Sequence, residues 1–312
     1  MSKLTSNPSN NSVTITGKLN DVVVREGTSK VGGKPYRAGT ATIRVDQTYG
    51  GKNEVSEVPV QFIAMKFKKD GTSNPAYESL GQLTTQFKSI QNYGFDQASR
   101  IRVNGRSGNI SENMFVGRDA EQVVSSWRVN ASFFNAVGSD SMPANADCAT
   151  FNMDIFIMSI TREMTPEGEE TGRLKIRGGV VQWGNKLDQL DFFVEDPTAV
   201  EYIERTWSMN DTVNVVGRIR YTSQTVAKSY HSENSWGEAI PETTTQVKRE
   251  LIITHGSDEP FDEDLAYAPE DIQVLNADRN NRKEQLKIEA RSKATQKASK
   301  PVVETSNYGW ED

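Results

Sequence analysis

The chain is poor in the residues on which most enzyme chemistry rests. Its 312 residues hold one cysteine, Cys148, and two histidines, His231 and His255. A single cysteine excludes an intramolecular disulfide and fits a reducing compartment. Two histidines leave little from which to build a histidine metal cage or a Cys/His nucleophile pair. Long apolar runs are missing too. No stretch approaches the roughly 20 apolar residues of a membrane-crossing helix, and the opening MSKLTSNPSNNS has no apolar segment of the secretory kind. The expectation is a soluble, cytoplasmic chain without cofactor, metal or membrane partner.

Two enzyme-like features fall away on inspection. The Gly-rich stretch 27–35 lacks the Gly-Lys-Ser/Thr ending of a phosphate loop, because Lys34 is followed by Pro35 and then by a strand. Asp188, Asp191, Glu195 and Asp196 could bind a divalent ion only if they converged, and a solvated strand edge is the simpler reading. The chain is therefore read as a binding protein and not as an enzyme.

Charge is unevenly spread. The net charge is -6, yet residues 256–312 carry 13 acids against 8 bases, leaving a nearly neutral body of 29 acids and 28 bases. Such a body can still gather its cations on one face, as phosphate binding requires.

What is present is alternation. Residues 1–12 form a loose polar arm, and from Val13 apolar residues recur every second position, followed by runs at 40–45 and 58–67, the last apolar on both faces. Leu80, Leu83, Phe87 and Ile90 space a helix over 76–93. Strands follow at 100–106 and 123–134, with Trp127, Val129, Ala131 and Phe133 on one side of the latter. After a polar link at 138–148 the order repeats, with strands at 151–160, 173–183 and 187–194, a helix from Pro197 to Trp207, and strands at 212–221 and 246–254. A short match, Gly105-Arg106 after the first helix and Gly217-Arg218 after the second, supports a duplication.

Each half thus reads strand, strand, strand, helix, strand, strand. This resembles a tandem pair of OB-folds, five-stranded Greek-key barrels with a helix between strands three and four, over residues 13–137 and 149–255. The alternative is one or two β-sandwiches with incidental helices. The strands expose cations in register: Arg173, Lys175 and Arg177; Arg218 and Arg220; Arg100 and Arg102, joined by Arg44, Arg106 and Arg128. Aromatic residues accompany cations at Lys34, Tyr36 and Arg37, and at Lys66 and Phe67. Trp183 ends the Arg173 strand, and Tyr230 and Trp236 fall in a polar excursion. Rings beside cations suit single-stranded nucleic acid, whose bases stack while its phosphates find charge.

The C-terminal stretch 256–312 is expected to be a disordered tail. Seven acids and no bases lie between Asp258 and Asp271, then eight bases and two acids between Arg279 and Lys300, a segment that is either disordered or a lone helix. The end, NYGWED, resembles the acidic, aromatic tip of OB-fold single-stranded DNA-binding proteins, with Tyr308, Trp310, Glu311 and Asp312 as the matching residues. It departs from the usual Pro-Phe ending, and a Pro260-Phe261 pair lies internally instead. Two barrels in one chain set it apart from the single-barrel bacterial form and resemble a phage-type member. The resemblance implies sequence-independent binding of single-stranded DNA, or of RNA, in replication, recombination or repair, with the tip recruiting partner proteins. The competing expectation is a structural or scaffolding β-protein, such as a virion or assembly component.

Overall fold

The alternation that starts near Val13 becomes β1 (Asn11–Thr28), the first strand of a computed structural model that describes residues 9–30, 32–117, 122–138, 146–229 and 241–298. After it come β2 (Pro35–Tyr49), β3 (Lys52–Met65), α1 (Pro75–Thr85), α2 (Ile90–Tyr93), β4 (Arg100–Val103), β5 (Gly108–Val116), β6 (Val123–Ala131) and β7 (Asn135–Ala136). The second half supplies β8 (Cys148–Met164), β9 (Glu170–Gln182), β10 (Lys186–Val194), α3 (Pro197–Thr206), β11 (Thr212–Ser229), β12 (Pro241–Gly256) and α4 (Pro269–Ala298).

The second half closes on itself. β8 pairs β9, β9 pairs β10, β10 runs parallel to β12, β12 pairs β11, and β11 returns to β8. In order of appearance this is 1-2-3-5-4-1 with a helix between strands three and four, the OB-fold. The first half repeats it with its last two strands each broken once. β4 and β5 together form strand four, β6 and β7 strand five, and β3 runs parallel to β6. The barrels share one sheet, because Asn11–Thr16 of β1 pairs antiparallel with Cys148–Met153 of β8. Val13 and Ile15 therefore meet Phe151 and Met153 in a single core that continues through both barrels.

The paired Gly-Arg motifs do not occupy matching places. Gly217 lies in β11, where a Cβ would run into the Ile252 carbonyl and the Phe151 ring, so only glycine lets the strands close. Gly105 lies in the turn between β4 and β5 and meets no such crowding. The order of elements, not the motif, carries the duplication.

Several expectations are corrected in detail. The helix over 76–93 breaks in two: Ser89 caps α2 by accepting from the Asn92 N–H, and the chain before it is drawn out to bond Ser99. β3 is covered on one face only, since Ile63 is 64% exposed and Phe67, just beyond it, is exposed as well. After β6 the break at Ser132 turns Phe133 outward and buries Phe134 instead. The stretch expected to be a loose arm is anchored from Ser9 on, and its residues 1–8 lie outside the described residues. Ser9 exchanges bonds with Val181 through both its backbone N–H (2.9 Å) and its hydroxyl (3.0 Å). Among the described residues no helix is long and apolar enough to cross a membrane.

Where a tail was expected from residue 256, the chain stays ordered to 298. Tyr267 is buried, donates its N–H to the Thr212 hydroxyl at 2.9 Å, and its own hydroxyl bonds Ser9 at 3.0 Å. Ile272 and Leu275 at the start of α4 pack with Tyr267 on Phe156, Val181 and Leu187 of the second barrel. The basic stretch that follows takes the helical alternative. Residues 299–312, with Tyr308, Trp310, Glu311 and Asp312, lie outside the described residues.

Candidate nucleic-acid interface

The register of the first three strands builds a floor. Arg25 stands beside Ala38 and Ile63, Val23 beside Thr40 and Gln61, and Gly27 beside Tyr36 and Met65. Because strand side chains alternate, these residues share the outer face while Ile43, Val58 and Phe62 turn into the barrel. Facing the floor, β5 and β6 present Asn109, Ser111, Arg128 and Asn130. Together they enclose an open groove of about 1060 Å3.

The second barrel and α4 complete the groove. Gln182 donates to the Ile110 carbonyl at 3.0 Å, and the Asp188 carboxylate accepts the Glu112 N–H at 3.0 Å. These bonds bring Gln182 and Lys186 into the groove wall, with Arg282 of α4 beside them. Trp183, 82% exposed, tops the turn between Gln182 and Lys186 and so stands at the groove's edge. The sequence places this ring only at the end of the Arg173 strand; the docking of the two barrels sets its turn, through Gln182 and Lys186, beside the first barrel's groove.

The charge balance of the groove is positive. Arg128 meets only neutral oxygens, of Ser111 (3.3 Å), Gln61 (3.4 Å) and Asn113 (3.5 Å), which leave its charge uncompensated. Among the described residues Arg25 and Lys186 form no ion pair. The two acids of the groove are muted. Glu112 is buried and paired with Arg279 of α4, whose Nε donates at 2.7 Å. Burial opposes the Glu112 charge, but bonds from Arg279 and Ser125 outweigh it and hold the carboxyl below its ordinary range. Burial pushes Asp188 up, with the Glu112 charge adding to the effect.

At the hairpin end, Lys34, Tyr36, Lys66 and Phe67 lie close together. The Lys66 N–H bonds the Pro35 carbonyl at 2.9 Å, and the Lys66 ammonium lies 5.7 Å from the Phe67 ring centre. Of the residues singled out from the sequence, Tyr36 and Arg128 line the groove, while Lys34, Lys66 and Phe67 lie at the hairpin end next to Tyr36 and Trp183 lies in the turn next to Gln182. Val23, Arg25, Gln61, Ile63, Lys186 and Arg282 join them without having been singled out from the sequence. Extending the β1 alternation would have put Arg25 on the core face with Val13, Ile15 and Leu19; the register shift between Leu19 and Asp21 turns it outward, and the others carry no local signal either.

The remaining cations are engaged elsewhere. Arg37 bonds Glu26 (2.7 Å) and the Tyr77 carbonyl (2.9 Å) and lies over the Tyr77 ring, fastening α1 to the barrel. Arg44 bonds Asp46, Arg100 bonds Asp147, and Arg102 donates to the Thr16 hydroxyl. Arg106 is exposed in the β4–β5 turn. In the second barrel Arg173, Arg218 and Arg220 do share a region, but they face carboxylates. Arg218 and Arg220 grip Glu54 of β3 and Glu195 between 2.7 and 2.9 Å, and Arg173 and Arg220 converge on Glu250. Lys175 and Arg177 both bond Asp191. The expected open stripe of cations is thus an ion-pair network, and through Glu54 it clamps the barrels together. Tyr230 and Trp236 lie outside the described residues.

This network sets an acid sensitivity. Burial works against the charges of Glu195 and Glu250, yet bonds from Arg220, joined by Arg173, hold both below the ordinary glutamate range. A depressed folded pKa gives stability that is present above the unfolded value and lost as pH falls through the folded one. Asp188, raised, acts in the opposite sense. Glu112 and Asp191 are also held below their ordinary ranges against burial, so the depressed carboxyls outnumber Asp188; the thermal midpoint is expected to fall as pH drops below the ordinary glutamate range, and a midpoint that stays level would contradict the clamp.

No metal centre emerges. Asp188 and Asp191 stand on opposite faces of β10, and Glu195 is held by arginines, so the three do not converge. Among the described residues no three Asp, Glu, His or Cys side chains group as a metal site.

Two linked barrels, the first carrying a cationic groove, define a tandem OB-fold chain. The chain belongs to the YorF family, whose model matches residues 9–289. No curated protein matches it in sequence. Among solved structures it is similar to a deletion mutant of the single-stranded DNA binding protein from Thermus aquaticus, at 13% identity and a TM-score of 0.48, covering 84% of this chain and 98% of that one. The wild-type form of that protein aligns at 11% identity and 0.48, over 82% and 95%. A Replication Protein A heterotrimer bound to ssDNA aligns at 13% identity and 0.22, over 89% and 71%. No residue role is carried over from these proteins.

Proposed function

We propose that the chain binds single-stranded DNA without regard to sequence, in the groove of the first barrel, and makes or breaks no bond. One observation carries this reading: the half-buried ring of Tyr36 and the exposed apolar side chains of Ile63 and Val23 lie between cations that have no acidic partner among the described residues, Arg25, Arg128 and Lys186. A single strand offers base faces to the first and phosphates to the second. A duplex hides its base faces and would leave the floor unused. The groove's amides are spent on each other, since the Asn130 amide donates to Asn109 (3.0 Å) and to Ser111 (2.9 Å). They are poorly placed to read base edges, which favours sequence tolerance. RNA would meet the same chemistry.

In this reading the protein covers strands exposed during replication, recombination or repair, and residues 299–312 supply the tip that recruits partner proteins. Titrating tryptophan fluorescence with an unstructured oligonucleotide at several salt concentrations tests the binding. Saturable quenching that weakens with salt, without cleavage, is expected. The pair Arg25→Gln and Arg128→Gln should each flatten the salt dependence by about 0.7 in log-log slope. Absence of salt-dependent quenching would sink the reading.

A further inference from the structure

Beneath the β5–β6 hairpin lies a smaller cavity of about 200 Å3, bounded by Ser125, Ser126 and Trp127, by Arg177 and Asp191, and by Arg279 and Lys283 of α4. It is walled off from the groove by the hairpin itself. Arg128 points to the groove and its neighbour Trp127 to the cavity; on α4, Arg282 lines the groove and the next residue, Lys283, the cavity. The two sites are thus contiguous around α4.

The cavity carries excess positive charge. Arg177 and Lys175 share the single carboxylate of Asp191, at 2.8 and 2.9 Å. Arg279 is matched by Glu112, whose remaining capacity goes to the Ser125 hydroxyl. Lys287 is matched by Glu284 at 2.7 Å. Lys283, half-buried, has no ion-pair partner among the described residues. Burial, and then the charge of Arg279, hold its ammonium below the ordinary lysine range. Of the cations that line the cavity, Arg177 is held by both oxygens of Asp191 and Arg279 by Glu112, so among the described residues Lys283 is the charge left over there, an arrangement that an anion would relieve.

We propose that this cavity is a phosphate subsite for the same strand, in which Lys283 and Arg177 take phosphodiester oxygens and Ser126 adds a neutral donor. The bound strand leaves the groove, passes around α4 and continues onto the outer face of the second barrel. This rests on the proposed strand binding, and a strand confined to the groove would not reach it.

The test uses the full chain with oligothymidylates of about 8 and about 30 nucleotides, the shorter matched to a single barrel. In Lys283→Gln, affinity for the short strand should be unchanged, while affinity for the long one drops a few-fold with a salt slope smaller by about 0.7. Lys283→Arg should restore both, and the thermal midpoint of Lys283→Gln should not fall, because an unmatched charge has been removed. Inorganic phosphate alone should raise the midpoint of the unmodified chain and not that of Lys283→Gln. Unchanged long-strand affinity and slope in Lys283→Gln, with the unmodified chain binding both lengths, would overturn the subsite. Phosphate protection without any effect on the long strand would mark a free-anion site and overturn the strand path. An unmodified chain that binds neither length would overturn the groove reading, and the subsite with it.

Discussion

Replacing Glu112 by alanine is expected to lower the unfolding free energy by about 3–5 kcal/mol, the cost of leaving a buried charge without its partner. The Glu112 and Arg279 side chains are 0% and 4% exposed, and the pair joins β5 of the first barrel to α4, which is packed on the second. In Glu112→Ala the Arg279 guanidinium would remain in the same enclosed place with no free carboxylate to answer it, because Asp191, which lines the same cavity, is taken by Lys175 and Arg177, and the remaining acid near Glu112 is Asp188. That carboxyl is already committed to the Glu112 N–H. The double variant Glu112→Leu with Arg279→Met removes both charges and should recover most of the loss, since an apolar pair of similar size escapes the desolvation cost. Denaturant unfolding of the three proteins distinguishes the cases. A loss under about 1 kcal/mol in Glu112→Ala would mean that water reaches Arg279 and that α4 is not held as described.

The second large effect concerns the rings. Tyr36→Ala and Trp183→Ala should each weaken single-stranded DNA binding by about 1–3 kcal/mol, the stacking contribution of one base. The two rings lie on different barrels, on β2 and on the β9–β10 turn, and share no bonding partner, so the losses should nearly add in the double variant. Stability should barely change for Trp183→Ala, because the side chain is 82% exposed and little apolar contact is lost. Since the substitution also removes a fluorophore, binding is best followed by anisotropy of a labelled strand. If Trp183→Ala binds as tightly as the unmodified chain, the second barrel contributes no ring to the groove. The strand would then be confined to β1, β2, β3 and the β5–β6 hairpin.

Much of the barrel plan was legible because it is written in local periodicity. Val13, Ile15 and Leu19, or Leu174 and Ile176, alternate with polar residues whatever their eventual partners, and Leu80 and Leu83 mark a helix by spacing alone. The breaks were harder to see. Residues 86–88 leave the helical path to pair with Ser99, a contact eleven residues away, and β5 is rich in Asn, Ser and Glu, so it carries no strong strand signal. α4 was open to two readings because its apolar anchors, Ile272 and Leu275, are few. They acquire meaning only against Phe156 and Leu187.

The cations show the limit most clearly. Arg173, Arg218 and Arg220 have the same strand spacing that a phosphate-binding stripe would have, and spacing reports only which face a side chain takes. Whether that face meets water or an acid depends on Glu54 and Glu250, which arrive from strands remote in sequence. The sequence by itself determined the strand and helix order, the two-barrel plan and the scarcity of catalytic groups, all properties of neighbours along the chain. Which cations remain uncompensated, and that Gln182 and Lys186 of the second barrel line the first barrel's groove, only the tertiary structure decided. Charge compensation and groove geometry are set by how the two barrels dock, and that docking rests on contacts between residues far apart in the chain.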